Sequence, residues 1–241
     1  MSEDGEPEFD LRDDGLGADP ARGTWGILAV AVWAIAFLSP ILVGVVVMVA
    51  GGDAVTAAAA STPIVGILLA SGTVWATRRL DLPLSAVGWR APDRPVRDSL
   101  LAVAVAVAII GVDYLNSLVL SALGASTDTL GPYRAFLDSP FLAVMLILGA
   151  VVAAPFGEEM YFRGLLLSMF DVRMRRWVAI AVAALLFTVA HYSTLSAWAP
   201  LFVFALMLGW LRLRTGSLYA PILAHLFNNA ITITVLLAGL V

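Results

Sequence analysis

Long apolar segments are the feature that most constrains what this chain can fold into. A transmembrane helix needs roughly 20 predominantly apolar residues, because the hydrocarbon core of a bilayer is about 30 Å thick. The sequence contains seven apolar segments, at residues 25–50, 57–77, 98–123, 140–170, 177–193, 197–211 and 217–241. We therefore predict an all-α integral membrane protein, a bundle of seven transmembrane helices, or eight if Pro155 and Gly157 break the fourth segment.

The composition agrees with a chain whose solvent is mostly lipid. Hydrophobic residues make up 61% and charged residues 13% of the 241 positions, whereas a soluble domain has roughly 45–50% apolar and about 25% charged residues. The absence of cysteine excludes disulfides, catalytic thiols and thiolate metal sites. We expect the lipid bilayer to be the main environment and nucleic acid not to be a partner.

The first 24 residues differ from the rest of the chain. They contain eight acidic residues against two arginines, and they have too little apolar surface to fold. They also lack the basic residues followed by an apolar run that mark a signal peptide. We interpret residues 1–24 as a disordered, acidic cytoplasmic tail.

The arginines predict the orientation of the helices. All 14 basic residues are arginine, and with the N-terminus inside the cell all but two fall on the cytoplasmic side. The exceptions are Arg134, which falls outside, and Arg163, which lies within the fourth apolar segment. Because cytoplasmic loops of membrane proteins are enriched in basic residues, we predict a multi-pass protein of the cell membrane with a cytoplasmic N-terminus.

Six ionisable residues lie inside the apolar segments. A charge at bilayer depth costs roughly a few kcal/mol, so such residues persist when they are paired or functional. They are Asp113, Glu158, Glu159, Arg163, His191 and His225. Asp113, with Asn116 nearby, stands apart from the other five, and we expect a structural hydrogen-bonding role for it.

The sequence "EEMYFR" places two carboxylates and one guanidinium on one helix. Glu159 and Arg163 are four residues apart and share a face, so they are expected to pair. Glu158 points about 100° away from Glu159 and is left over. It is a candidate general base for a water molecule, but an internal ion-pair network of all three residues that clamps helices together fits this segment equally well.

The chain has two histidines, and both lie in apolar segments. His191 follows Phe187 by four residues, and Asn229 follows His225 by four residues, so each pair shares a helical face. Measured along its own segment, Glu158, His191, His225 or Asn229 lies roughly 16–22 Å from the nearest cytoplasmic arginine. Three helices thus bring polar groups to a similar depth, which predicts a polar cavity inside the bilayer.

Three motifs carry a resemblance to a known family. "EEMYFR" fits E-E-x-x-x-R, "FTVAH" fits F-x-x-x-H, and "HLFNN" fits H-x-x-x-N. In this order and inside apolar helices they resemble the CPBP family of membrane proteins, which comprises CAAX-prenyl-protein endopeptidases and bacterial bacteriocin-processing or immunity proteins. The resemblance covers about residues 140–235. We therefore divide the chain into N-terminal transmembrane helices (25–135) and a CPBP-type core (136–241).

The resemblance implies a glutamate-dependent intramembrane endopeptidase with a peptide or membrane-protein substrate and no cofactor. Glu158 would activate a water molecule that His191 helps to hold. His225 and Asn229 would stabilise the oxyanion of the scissile carbonyl. Glu159 and Arg163 would be the supporting pair. The same roles are needed for peptide hydrolysis without a serine or cysteine nucleophile, namely a positioned water, a base, and donors at the developing charge.

Two alternatives remain open at the level of the sequence. Glu158, His191 and His225 could instead be the three ligands of a catalytic zinc ion. The protein could also be non-catalytic, for example a bacteriocin-immunity factor, a scaffold or a small transporter. A transporter would be expected to show paired inverted halves, and the sequence shows no internal repeat.

Overall fold

The computed structural model describes residues 22–127, 131–191 and 195–239, which are helical and contain no strand. The long helices are α1 (Arg22–Val49), α2 (Ala54–Arg79), α3 (Pro95–Ala122), α4 (Pro140–Asp171), α5 (Arg176–Ala190), α6 (Trp198–Thr215) and α7 (Tyr219–Leu237). Short 3₁₀ segments lie at Leu84–Val87, Gly131–Asp138 and Leu195–Ala197. The predicted all-α membrane protein is confirmed.

Five of the described helices, α1, α2, α3, α4 and α7, are long and apolar enough to cross a membrane. Helix α5 has 15 residues, which gives a length of about 22 Å against a hydrocarbon core of about 30 Å. Helix α6 carries Arg212 and Arg214 in its last turn, which lowers its apolar character. The described ranges therefore contain long helices at all seven predicted segments, and five of these helices have the length and apolar character of a membrane span.

Helix α4 is continuous through Pro155 and Gly157, so the eight-helix alternative is wrong. The helix widens into π-helical turns at Ile147–Ala153, just before Pro155, and again at Glu159–Leu166. A proline removes a backbone donor, and local π adjustments can satisfy the freed groups inside a membrane. Because π turns inside α-helices are also frequent at functional sites, α4 is a candidate to carry the functional site.

Helix α1 begins at Arg22, three residues earlier than the sequence predicts. The end of the predicted tail is thus helical, while residues 1–21 lie outside the described part of the chain. At the other boundary the predicted helix 177–193 ends early, at Ala190. His191 leaves the helical conformation, with φ −95° and ψ 41°, and its side chain caps the end of the helix.

Helix α4 lies at the centre of the bundle, in contact with α2 on one side and with α7, α5 and α6 on the other. Its backbone touches that of α2 at two glycines. A Cβ atom on Gly157 would overlap the carbonyl oxygen of Gly66, and one on Gly66 would overlap the backbone at Ala153. Small residues let membrane helices approach closely. This contact fixes α4 against α2 near Glu158.

The arginine-rich end of the bundle is closed by the loop between α2 and α3. Gly88 has φ 81°, which favours glycine, and a Cβ atom there would overlap the buried guanidinium of Arg212. The Gly88 carbonyl accepts a hydrogen bond from the Leu218 amide at 2.9 Å. The Ser168 hydroxyl donates to the Ala86 carbonyl at 3.4 Å. The loop therefore packs against both α4 and the turn before α7.

We expect Gly157→Ala to lower the free energy of unfolding by about 1–3 kcal/mol, because the added methyl group forces α2 and α4 apart. Unfolding of the purified protein in detergent, followed by circular dichroism, measures this. Gly111→Ala on α3 is the matched control, since an added Cβ there meets no atom within 4 Å. An equal effect of the two substitutions would contradict the close-contact interpretation.

Candidate active site

A buried carboxylate joins two helices. Glu159 is 0% exposed, and its Oε1 accepts a hydrogen bond from Arg163 Nη1 at 3.0 Å on the same helix. The same oxygen accepts a second bond, at 2.8 Å, from Nδ1 of His225 on α7. Arg163 and His225 are themselves buried. The expected Glu159–Arg163 pair is present, but the histidine as a third member was not foreseen from the sequence.

The Phe187 ring of α5 packs against this charged cluster. Arg163 Cζ lies 4.4 Å from the ring centroid, and Arg163 Nη2 also donates to the Ala205 carbonyl of α6 at 3.4 Å. The Phe187 centroid is 6.2 Å from that of His225 and 4.6 Å from that of His191. Four helices, α4 to α7, therefore meet at one place, and both imidazoles are in contact range of one phenyl ring.

His191 caps the end of α5 with its own side chain. Its backbone N–H bonds to the Thr188 carbonyl at 3.0 Å, which leaves the Phe187 carbonyl without its usual helical partner. The ring Nδ1 lies 2.8 Å from that carbonyl oxygen. Because a carbonyl oxygen only accepts hydrogen bonds, Nδ1 must carry the proton. In the neutral imidazole Nε2 then has a lone pair that can accept a hydrogen bond.

The ring contact between Phe162 of α4 and Phe187 of α5 relates the position of Glu158 to that of His191. Phe162 of α4 and Phe187 of α5 meet edge to face, with centroids 5.2 Å apart. Glu158 precedes Phe162 by four residues and His191 follows Phe187 by four. Since α4 and α5 run in opposite directions, we expect both residues to lie beyond that contact, on the same side. Glu158 is half-buried and forms no hydrogen bond with another described residue.

Glu158 has two electrostatic partners. One is Arg163 of α4. The other is Tyr133, in the connection between α3 and α4. Burial raises the pKa of Tyr133, and the charge of Glu158 raises it further. Tyr133 is therefore near the carboxylate, and no sequence motif marked it, because it precedes the first residue of α4 by seven positions.

Asn229 lies one turn beyond His225 on α7, as the sequence predicts, but its amide is engaged. Nδ2 donates to the Ala150 carbonyl of α4 at 2.8 Å, and Oδ1 accepts a bond from Asn228 at 3.2 Å. A primary amide has two N–H donors, so one hydrogen remains for another acceptor. The bond to Ala150 fixes the register between α7 and α4.

The structure does not support the hydrogen-bonding role expected for Asp113. This residue is exposed on α3 and forms no hydrogen bond or ion pair with another described residue. Its neighbour Asn116 does have such a role, since its Nδ2 donates to the Ser196 carbonyl at 3.0 Å. The distinction depends on which helical face is packed, which residue types alone do not reveal.

Within the described ranges, no three histidine, aspartate or glutamate side chains are grouped closely enough to hold a metal ion. His225 uses Nδ1 to bind Glu159, and His191 uses Nδ1 to bind a backbone carbonyl. Their Nε2 atoms are the ring atoms left for a water, a substrate or a metal.

We expect Glu159→Gln to destabilise the protein by about 3–5 kcal/mol, because it leaves the buried Arg163 and His225 without their shared carboxylate. Chemical unfolding in mixed micelles measures the loss. Glu158→Gln makes the same chemical change at a half-buried position without a hydrogen-bond partner, and we expect it to cost less than about 1 kcal/mol. The assignment of Glu159 as the structural carboxylate fails if the two variants unfold alike.

Comparison with known proteins agrees with the motifs. Residues 140–231 match the family described as Rce1-like, type II CAAX prenyl endopeptidase. An uncharacterized 24.3 kDa protein of Escherichia coli is 34% identical over 87 residues, which cover 34% of this chain and 40% of that protein. The chain thus aligns with less than half the length of this relative, and no solved structure matches it. The charged cluster, His191 and Asn229 all lie inside the matched region, so residues 140–231 are similar to the Rce1-like family, which supports the CPBP resemblance that the three motifs carry.

Proposed function

We propose that this protein is an intramembrane endopeptidase in which Glu158 activates the attacking water. The observation that carries the proposal is the contrast between two neighbouring carboxylates. Glu159 is fully buried and held by two partners, whereas Glu158 is half-buried and has no hydrogen-bond partner among the described residues. An ionisable group at bilayer depth that no ion pair explains is a functional candidate.

The first step needs a base and a holder for the water. The Glu158 carboxylate takes one proton from the water molecule, and the oxygen attacks the carbonyl carbon of the peptide bond. His191 accepts a hydrogen bond from the same water through the lone pair of Nε2, because Nδ1 is committed to the Phe187 carbonyl. Two acceptors orient the water, and one of them removes its proton.

The second requirement is stabilisation of the oxyanion. As the C–O double bond opens, negative charge develops on the carbonyl oxygen, and donors already in place lower the barrier. The Nδ1–H of His225 is bonded to Glu159, so this residue can donate from Nε2 only as an imidazolium. Glu159 stabilises that cation. The second amide hydrogen of Asn229 is the other donor in this proposal.

The tetrahedral intermediate then collapses. The electron pair returns from the oxyanion to carbon, the C–N bond breaks, and Glu158 transfers the proton it took from water to the leaving nitrogen. The products are a carboxylic acid and an amine, and Glu158 is again ionised. No redox partner or covalent enzyme intermediate is needed, which agrees with a chain that contains no cysteine.

The substrate in this proposal is a peptide or membrane protein that presents apolar residues. A cavity of about 480 Å³ lies between residues 88–92 of the α2–α3 loop, Phe156 of α4 and the first turns of α7, and its mostly apolar lining includes none of the four proposed catalytic residues. It includes Phe156, one turn before Glu159, and Ile222 and Leu226, which flank His225. Apolar cavities of this size fit ligands of small-molecule dimensions. Apolar substrate side chains adjoining the scissile bond would fit this space.

The placement in the cell is also part of the proposal. Arginines are concentrated at one end of the bundle, in and next to the ends of α2, α4 and α6 and the starts of α3 and α5. They are Arg78, Arg79, Arg90, Arg94, Arg97, Arg173, Arg175, Arg176, Arg212 and Arg214. Enrichment of arginine favours the cytoplasmic side. We assign the protein to the cell membrane, with the N-terminus in the cytoplasm.

We expect Glu158→Gln to lower proteolysis by roughly 10²–10⁴-fold, because the amide cannot take the proton from water. Proteins retained by purified Glu158→Gln, but not by the wild type, are identified by mass spectrometry and then offered to both forms in proteoliposomes. His191→Ala is expected to lose activity in the same way. Normal abundance and helical content of Glu158→Gln are the control for folding. Cleavage at the wild-type rate by this variant would exclude Glu158 as the base, and a biological effect that survives the substitution would favour a scaffold or immunity factor.

The zinc alternative leads to a different result with chelators. In a glutamate-and-water mechanism, cleavage of the recovered substrate continues at an unchanged rate in excess EDTA or 1,10-phenanthroline, because no metal carries the nucleophile. Loss of activity that added zinc restores would instead identify Glu158, His191 and His225 as ligands of a catalytic ion. The metal content of the purified protein provides an independent measurement.

A further inference from the structure

We infer that Trp198 is a positioning residue, which sets the tautomer and direction of the His191 ring through the end of helix α5. This inference rests on the proposed function for its effect on the reaction. The effect of Trp198 on the tautomer of the His191 ring can be tested without any substrate. Trp198 lies outside the three motifs and is the first residue of α6.

The indole of Trp198 bonds directly to the backbone of His191. Its Nε1–H donates to the His191 carbonyl oxygen at 3.1 Å. The last carbonyl groups of a helix have no partner within the helix, and a backbone group without a hydrogen bond is costly inside a bilayer. Because the indole N–H is a donor and not an acceptor, Trp198 suits this carbonyl and stabilises the non-helical conformation of His191.

This conformation decides what the His191 ring can bind. With φ −95° and ψ 41° at His191, the backbone N–H bonds to the Thr188 carbonyl rather than continuing the α-helical pattern to Phe187. The Phe187 carbonyl is then available to the ring Nδ1 at 2.8 Å. If the last turn closed as an ordinary α-helix, the backbone N–H would compete with the ring for that carbonyl.

The consequence for chemistry concerns Nε2. As long as Nδ1–H is held by the Phe187 carbonyl, the neutral ring keeps its lone pair on Nε2, where the proposed water needs an acceptor. A ring released from Phe187 can take the other tautomer, with a proton on Nε2, and it can rotate away. Trp198 thus acts on the proposed reaction through His191 and needs no contact with the substrate.

A side chain outside the matched residues 140–231 also binds the connection between α5 and α6. Asn116 of α3 donates to the Ser196 carbonyl, two residues before Trp198. Its bond fixes the 3₁₀ segment Leu195–Ala197 but does not touch His191. Asn116→Ala therefore loosens the connection without removing the donor to the His191 carbonyl, which separates general loosening from the specific effect of the indole.

The experiment uses the two histidines of the chain as spectroscopic probes. Full-length protein labelled with ¹⁵N-histidine in lipid nanodiscs gives ring nitrogen resonances that distinguish the two neutral tautomers, and His191→Asn assigns them. We expect the wild type to show His191 protonated on Nδ1. In Trp198→Phe, which keeps an aromatic ring but lacks the donor, that population falls roughly twofold or more, while the His225 signals stay unchanged.

Two control variants and a kinetic measurement complete the experiment. Trp177→Phe, at a position on α5 that is 68% exposed, and Asn116→Ala are expected to leave the His191 tautomer as in the wild type. With a cleavable substrate, Trp198→Phe lowers kcat roughly tenfold with little change in KM, because it displaces one group of the site. If Trp198→Phe does not accumulate, Trp198→Leu is examined by the same spectra.

Three outcomes overturn the inference. The first is a wild-type His191 protonated on Nε2. The second is an unchanged His191 tautomer in Trp198→Phe, even where activity falls, because a general structural role would then account for the loss. The third is an equal change in Asn116→Ala. A wild-type protein that cleaves nothing, but whose His191 responds to Trp198→Phe as expected, would refute the proposed function and leave the positioning of His191 intact.

Discussion

The rest of this structure depends on one buried interaction, the carboxylate of Glu159 shared by Arg163 and His225. Arg163 is almost fully buried, and an unpaired guanidinium at such a position would be strongly destabilising. Glu159 neutralises it within α4 and binds His225 of α7 with the same oxygen. The ion pair therefore also connects two helices, and it determines where α7 lies relative to α4.

Around this interaction the side chains of the site fall into two groups. In the first group, Glu159 Oε1 binds both Arg163 and His225, and Phe187 packs against Arg163, while the buried Oε2 of Glu159 has no hydrogen-bond partner among the described residues. The second group contains Glu158, which forms no hydrogen bond with another described residue, and His191, which uses only Nδ1. This contrast is the basis for proposing different roles for two adjacent glutamates.

The backbone supplies the precision that such a site requires. Gly66 and Gly157 let α2 and α4 touch, and the π turns of α4 begin next to Pro155 and at Glu159. The bond from Asn229 to the Ala150 carbonyl sets the register of α7, and the end of α5 holds His191 in a single direction. These devices act on α2, α4, α5 and α7, and together they hold the polar groups of three helices in place.

The sequence by itself determined the membrane environment, the seven helices and the Glu159–Arg163 pair, because these follow from local patterns. Apolar length predicts a helix in lipid, and a spacing of four residues predicts a shared helical face. It also singled out Glu158, His191, His225 and Asn229 as polar groups on three apolar helices. The tertiary structure alone decided that His225 joins Glu159, that α4 stays continuous through Pro155, that His191 ends its helix, and that Asn116 rather than Asp113 is the hydrogen-bonded residue. These outcomes depend on contacts between helices that are distant in the sequence. The energies of such contacts depend on which helical faces meet, and no single segment encodes that.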